Sequence, residues 1–430
     1  MKKKLLPALI VTGLIILVVI IMGITALINK YTPTKKTEDL KEYFNISSDD
    51  EAALIVDNEL SDYKAKIIDK KIYVDYKFVH DSLNSRFYWD ANENVLLYTT
   101  ASDIISAAAD SNSYSVTKQT NDFGYPIVKA TSDSALIALD YVKQYSNITF
   151  KSYDDPARIV ITSKWDEIDS ATVSKSTQVR VKGGIKSPIL KEVKKDDKIT
   201  ILDSGDKWDK VATEDGVIGY IKRKALSESK KTKLTNPDYE EETFTHIKKD
   251  KDICLAWNQV TSQSANSKVP QVISSTKGIN VMSPTWFYLN DNNGNLADIA
   301  SKDYVSYCHS QGIEVWGLFS NLENTDVDAA YVLTHTSTRT TLINQIMSAA
   351  FNYELDGVNI DFENITEAAY GDSYIEFIRE LAIKCHNNGI SLSVDVTVPA
   401  SFNKFFNRSD MANFADYIVI MGYDEHYKGS

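Results

Sequence analysis

The chain has 430 residues, is 43% hydrophobic and 25% charged, and carries a formal net charge of −12. That length and apolar content fill several cores, so two to four domains are expected, and the acidic balance disfavours nucleic acid as a partner because phosphate binding needs clustered cationic surface. Six histidines fall outside any HExxH or CxxC arrangement, which predicts no metal and no cofactor, and Cys254, Cys308 and Cys385 are too few and too scattered for a disulfide framework, so they read as small buried hydrophobes.

MKKK precedes an uncharged apolar run over 5–28, long enough to cross a bilayer as a helix. The run ends in Leu27 and Ile28, without the short apolar region and small-residue cleavage site of a removable signal, so 1–30 reads as an uncleaved transmembrane anchor. Lys2, Lys3 and Lys4 stay in the cytoplasm by the positive-inside bias, which predicts a single-pass protein of the cell membrane with everything after about Asn29 outside. The polar, charged stretch 31–50 reads as a spacer, with no fold assigned to it.

Between 51 and 166 the chain repeats itself at an offset of about 63 residues. IYVDYKFVHDSLNSRFYWDANENVLLYTT (72–100) lies over ALIALDYVKQYSNITFKSYDDPARIVITS (135–163) without a gap, each copy reading as a short strand, a helix and two strands joined by an Asp/Asn-rich turn. The pair is similar to the small α+β module at the start of copper amine oxidases and in bacterial envelope proteins; the resemblance implies a stalk or wall-contact role and no copper chemistry.

The stretch 170–227 turns to short alternating strands with Gly183-Gly184, Ser204-Gly205 and Asp215-Gly216 turns. Its VRVKGG, WDKVATEDG and GYIKRKAL segments resemble a bacterial SH3-like barrel, which implies cell-wall peptide binding, with Trp208 and Tyr220 either a contact surface or core. The charged stretch 228–246, almost free of aliphatics, reads as a linker.

From 247 to 430 strands alternate with helical stretches, the pattern of β/α units and a parallel sheet. Strands are predicted at 253–260, 279–289, 313–321, 355–364, 390–400 and 416–424, with helices over 340–354 and 373–389, the latter closed by Gly389. The fold class expected is multidomain: the transmembrane helix, the α+β repeat module, the SH3-like barrel and a C-terminal (β/α)8 TIM barrel present in part, as about six strands. Chemistry in such a barrel sits at strand C-termini.

LDGVNIDFEN (355–364) puts three polar side chains on one face of a strand, because successive side chains point to opposite sides. Asn359, Asp361 and Glu363 share one face, and Val358, Ile360 and Phe362 the other. A barrel strand gains nothing in stability from such a ladder, so an active site is the expected reason for it; the competing reading is a set of buried polar groups satisfied by hydrogen bonds.

DGVNIDFE resembles the DGxDxDxE signature of family 18 glycoside hydrolases, and MGYDEH (421–426) the MxYD segment of that family's sixth strand, in the right order and spacing. The resemblance covers about 243–430 and implies retaining hydrolysis of β-1,4 linkages in an N-acetylglucosamine polymer, with the substrate's own acetamide as nucleophile. On that reading Glu363 protonates the glycosidic oxygen, Asp361 orients the acetamide and offsets the positive charge that develops, and Tyr423 hydrogen-bonds the acetamide oxygen. Asp424, Met421 and Asp356 line the substrate site, and crowding by Asp361 is expected to hold the proton on Glu363 to higher pH. Asn359 departs from the signature, and the third strand, VWGLFSN, lacks the SxGG of many chitinases; both departures resemble the branch acting on peptidoglycan and spore cortex, so peptidoglycan is expected ahead of chitin. An eightfold barrel takes about 250 residues, so strands seven and eight, with the family's final-strand tryptophan, are expected to be missing and the chain as it stands inactive. The alternatives are a non-catalytic glycan-binding or scaffolding protein of the envelope, and a TIM-barrel hydrolase with an unrelated nucleophile.

Overall fold

The computed structural model describes residues 2–363, 365, 368–403 and 406–425. Helix Lys2–Tyr31 opens the chain, and its stretch Leu9–Tyr31 is long and apolar enough to cross a membrane, a criterion an N-terminal signal sequence also meets. The chain divides into two compact units that interleave in sequence, Met1–Val74 with Lys143–Tyr239 and Asp75–Val142 with Glu240–Ser430. The stretch 51–166 is therefore shared between them. Both repeat copies run strand, short helix, hairpin, yet the hairpin Phe87–Asp90/Val95–Thr99 belongs to the second unit and Thr149–Tyr153/Arg158–Thr162 to the first.

In the first unit, strand Glu51–Val56 pairs parallel with Arg158–Thr162 and antiparallel with Glu59–Ile68. A separate seven-stranded sheet, antiparallel throughout, spans Glu167–Thr172 to Lys230–Lys233. Two sequence expectations change here. The spacer 31–50 contains the helix Leu40–Tyr43 and a buried Phe44, because its few apolar side chains find the same core as Val179, Val211 and Ile221. The linker 228–246 contributes strand Lys230–Lys233, whose backbone completes the ladder of Glu167–Thr172 although all four of its side chains are exposed. Trp208 and Tyr220 are half-buried beside Gly183.

The second unit carries the parallel sheet: β1 (Leu255–Asn258), β2 (Val281–Leu289), β3 (Glu314–Ser320), β4 (Gly357–Asp361), β5 (Ser391–Thr397) and β6 (Tyr417–Met421), paired in that order. All six lie inside the predicted strands, and Leu296–Asp298 adds an antiparallel partner to β2. The sheet curls into a partial barrel, since Trp257 of β1 and Asn359 of β4 hydrogen-bond at 3.0 Å across its concave face. Val358 and Ile360 point outward into a fully buried core shared with the helices Thr336–Tyr353 and Ala368–His386. Gly389 takes a φ of +69° where the chain leaves the second of these. On the inner face the Trp316 and Tyr417 rings meet at 5.2 Å and floor the barrel. A Cβ on Gly357 would stand 2.6 Å from the Trp316 ring, which is why glycine opens β4. Cys308 and Cys385 are buried as expected, whereas Cys254, just ahead of edge strand β1, is exposed.

Candidate active site

Strand alternation builds the site. Asn359 is wholly buried: its Oδ1 accepts from Trp257 Nε1 at 3.0 Å and Ser283 Oγ at 2.9 Å, and its Nδ2 donates to Asp395 Oδ1 at 2.9 Å. Two donors on the oxygen fix the amide's orientation. Two residues on, Asp361 is half-buried with Oδ1 lacking a hydrogen-bond partner. Beyond the strand, Glu363 is half-buried and its backbone is clamped by Asn321 at the end of β3: Glu363 N donates to Asn321 Oδ1 at 2.9 Å, and Asn321 Nδ2 donates to Glu363 O at 2.7 Å. The same asparagine edges a cavity of about 390 Å³ between the loop after β3 and the segment after β4, lined also by Leu322, Ile365 and Tyr370.

The carboxyls interact. Burial, then the charges of Glu363 and Glu323, push Asp361 up to about 6. Burial pushes Asp395 up to about 7; hydrogen bonds from Asn359 and Trp257 oppose the rise and the charges of Asp361 and Glu363 add to it. The buried Tyr374 hydroxyl, on helix Ala368–His386, lacks a partner and is raised by burial and then by Asp395 and Asp361. Burial is the first cause of the rise at both Asp361 and Asp395, and the neighbouring carboxylates add to it. Burial and mutual repulsion thus favour the protonated form of Asp361 and Asp395, the condition under which one carboxyl of a cluster can hold a proton beside another that has lost its own.

Met421 is buried at the end of β6, in register with Thr397 of β5, and the Tyr423 hydroxyl donates to Met421 Sδ at 3.0 Å while the ring stays 63% exposed. The Asp424 side chain and His426 lie outside the described residues. Asp356 is not gathered into the site. It precedes β4 at the opposite end of the sheet, where its Oδ2 accepts from Val315 N at 2.8 Å and pairs with His309 Nε2 at 2.8 Å. Asp416, before β6, holds Leu392 N in the same way at 2.8 Å. Both aspartates fasten a strand start, so Asp356 is corrected from substrate contact to strand clip. Asp395, Trp257, Ser283 and Asn321 were not among the predicted site residues. The signal for Asp395 was the alternation Ser391, Ser393, Asp395 along β5, the same pattern as on β4. Among the described residues no group of three or more His, Cys, Asp or Glu is arranged to hold a metal ion.

Residues 326–429 match glycosyl hydrolases family 18. The uncharacterized glycosylase YvbX of Bacillus subtilis (strain 168) is 24% identical over 150 residues, 32% of this chain and 42% of that protein. Among solved structures, a chitinase from Chromobacterium violaceum ATCC 12472 is 20% identical over 41% of this chain and 57% of its own, with a TM-score of 0.35. The spore cortex-lytic enzyme SleL of Bacillus megaterium QM B1551 is 17% identical over 41% of this chain and 43% of its own, with a TM-score of 0.35. The chain spans less than half the length of its curated relative YvbX.

Proposed function

We propose that the chain is a glycosidase acting on an N-acetylglucosamine-containing polymer, peptidoglycan ahead of chitin, by a retaining, substrate-assisted route. The observation that carries the reading is the gathering of Asp361, Asp395 and Glu363 at the C-terminal ends of β4 and β5, where burial raises Asp361 to about 6 and Asp395 to about 7. Glu363 is the general acid and protonates the leaving glycosidic oxygen. The acetamide oxygen attacks the anomeric carbon, and Asp361 faces the cationic intermediate with its carboxylate. Asn321 holds the Glu363 backbone in place through its pair of hydrogen bonds, which fixes where the proton is delivered. The family match over 326–429 and the glycosylase name of YvbX support the reading. The choice of peptidoglycan follows from the SH3-like resemblance of 170–227 and from the wall-directed departures at Asn359 and VWGLFSN. With the apolar N-terminal helix as anchor, the site would work outside the membrane.

The test is reducing-end release from peptidoglycan and from chitin oligosaccharides by the full-length protein and by its Glu363→Gln variant. The expected result is a fall of roughly 10²-fold or more in the variant, the size of a lost general acid, and no cleavage of glucans lacking the 2-acetamido group. Equal release by both proteins would remove the enzyme and leave a glycan-binding barrel.

A further inference from the structure

Asn359 is an amide at the centre of a carboxyl cluster, and its orientation is fixed: Oδ1 is taken by Trp257 and Ser283, so Nδ2 faces Asp395. An amide neither releases nor accepts a proton near neutral pH, so position 359 holds no titratable proton beside Asp361. The neighbouring strand supplies a carboxyl. Ile360 of β4 is in register with Val394 of β5, and the next residue on each strand is an aspartate, Asp361 and Asp395. Asp395 Oδ1 is held by Asn359, while Asp395 Oδ2 and Asp361 Oδ1 are both buried and without partners. Two orphaned acceptor oxygens on adjacent strands are costly, and a proton shared between them would satisfy both.

We propose that Asp395 holds the proton that position 359 cannot: it donates Oδ2–H to Asp361 Oδ1, so that the pair carries one negative charge, resident on Asp361. Asp395 is thus a positioning residue that acts through Asp361. Resting on the glycosidase reading, its role is to keep Asp361 anionic and turned to the substrate when the cationic intermediate forms, between a neutral Asp395 and the proton-bearing Glu363. No proton is gained or lost by the pair in that step. The groups facing Asp395 are Asp361, Glu363 and Asn359 on and beyond β4, Trp257 on β1 and the Tyr374 hydroxyl; Glu323 acts on Asp361. Burial raises both carboxyls, which agrees with a proton held within the pair.

Two measurements on the full chain in detergent test this. The first needs no activity: carbon-13 carboxyl titration of Asp395 in the parent and in Asp361→Asn. A shared proton requires the Asp395 midpoint to fall by about a unit or more once its charged partner is gone, and an unchanged midpoint overturns the proposal. The second is the pH profile of kcat/KM on a chitin oligosaccharide. In Asp395→Asn the side-chain amide replaces the Oδ2–H donor, so activity stays within about ten-fold of the parent and the alkaline limb moves up or disappears, whereas Asp395→Ala loses roughly 10²-fold in kcat with little change in KM. An alkaline limb that stays put in Asp395→Asn, or equal losses in the Asn and Ala variants, overturns it. If the parent cleaves no glycan at all, the glycosidase reading falls and the carboxyl titration alone decides the proton's location.

Discussion

Asp356 and Asp361 lie at opposite ends of one short strand and serve different ends. Asp356 fastens the start of β4 to Val315 N and His309, and Asp361 projects from the far end into the carboxyl cluster. Asp356→Ala removes the acceptor of the Val315 N–H, and the expected cost is about 1–3 kcal/mol in urea-induced unfolding, with kcat/KM per folded molecule unchanged within about two-fold. A specific activity that collapses while the unfolding midpoint holds would return Asp356 to the substrate site. The ladder Asn359, Asp361, Glu363 was legible from alternation alone, because a strand's two-residue period assigns faces without knowledge of neighbours. Asp395 lies on an equally legible strand, but its value to the site comes from the register of β4 with β5, which no local pattern states. Asp356 was misplaced for a related reason: a motif groups residues by sequence, whereas a strand carries its first residue some 15 Å away from its last.

At the scale of elements, the helix Thr336–Tyr353 shows how a start signal can come from a distant segment. The residue before it, His335, makes no side-chain cap, and the first-turn donors are met instead by two acids of the hairpin Phe87–Asp90/Val95–Thr99, Asp90 at the end of its first strand and Glu93 in its turn. Asp90 accepts from Thr336 N and Oγ1 at 2.6 Å each, and Glu93 accepts from Ser337 N at 3.0 Å. Carboxylates at a helix N-terminus satisfy orphan N–H groups and oppose the positive end of the dipole. Replacing both acids by alanine is expected to cost about 1–2 kcal/mol per cap and to speed amide exchange over the first turn before the rest of the helix. Uniform exchange along the helix would show that the two acids do not cap it. From sequence the helix was placed at 340–354, four residues late, because apolar periodicity begins at Leu342 whereas the turn that starts the helix is polar and capped from outside.

For the second unit as a whole, the antiparallel five-stranded sheet that the hairpin Phe87–Asp90/Val95–Thr99 opens and Gln119–Asp122 closes is joined to the helices outside the parallel sheet through buried polar groups. Thr99 Oγ1 donates to Glu376 Oε1 at 2.8 Å, and Arg379 joins Glu376 at 2.8 Å and Asp410 through Nε at 2.9 Å, with Glu376 fully enclosed. Arg339, also fully buried, pairs with Glu380 at 2.9 Å and lies over the Tyr88 ring. The contacts that cross from the hairpin, Tyr88–Arg339, Asp90–Thr336 and Thr99–Glu376, join residues some 250 to 280 apart in sequence, so nothing in local periodicity announces them, even though the repeat that supplies the hairpin is plain to see. Removing one partner from such a network leaves buried charge uncompensated, typically about 3–5 kcal/mol. Arg379→Met should therefore destabilise the unit by that amount, read as a fall in the denaturant midpoint of tryptophan fluorescence. Adding Glu376→Gln and Asp410→Asn should recover most of the loss, because neutral groups of the same shape keep hydrogen-bonding capacity without the unpaired charge. A triple variant no more stable than Arg379→Met alone would mean that water reaches the network, and that the sheet is held to the barrel by its apolar contacts instead.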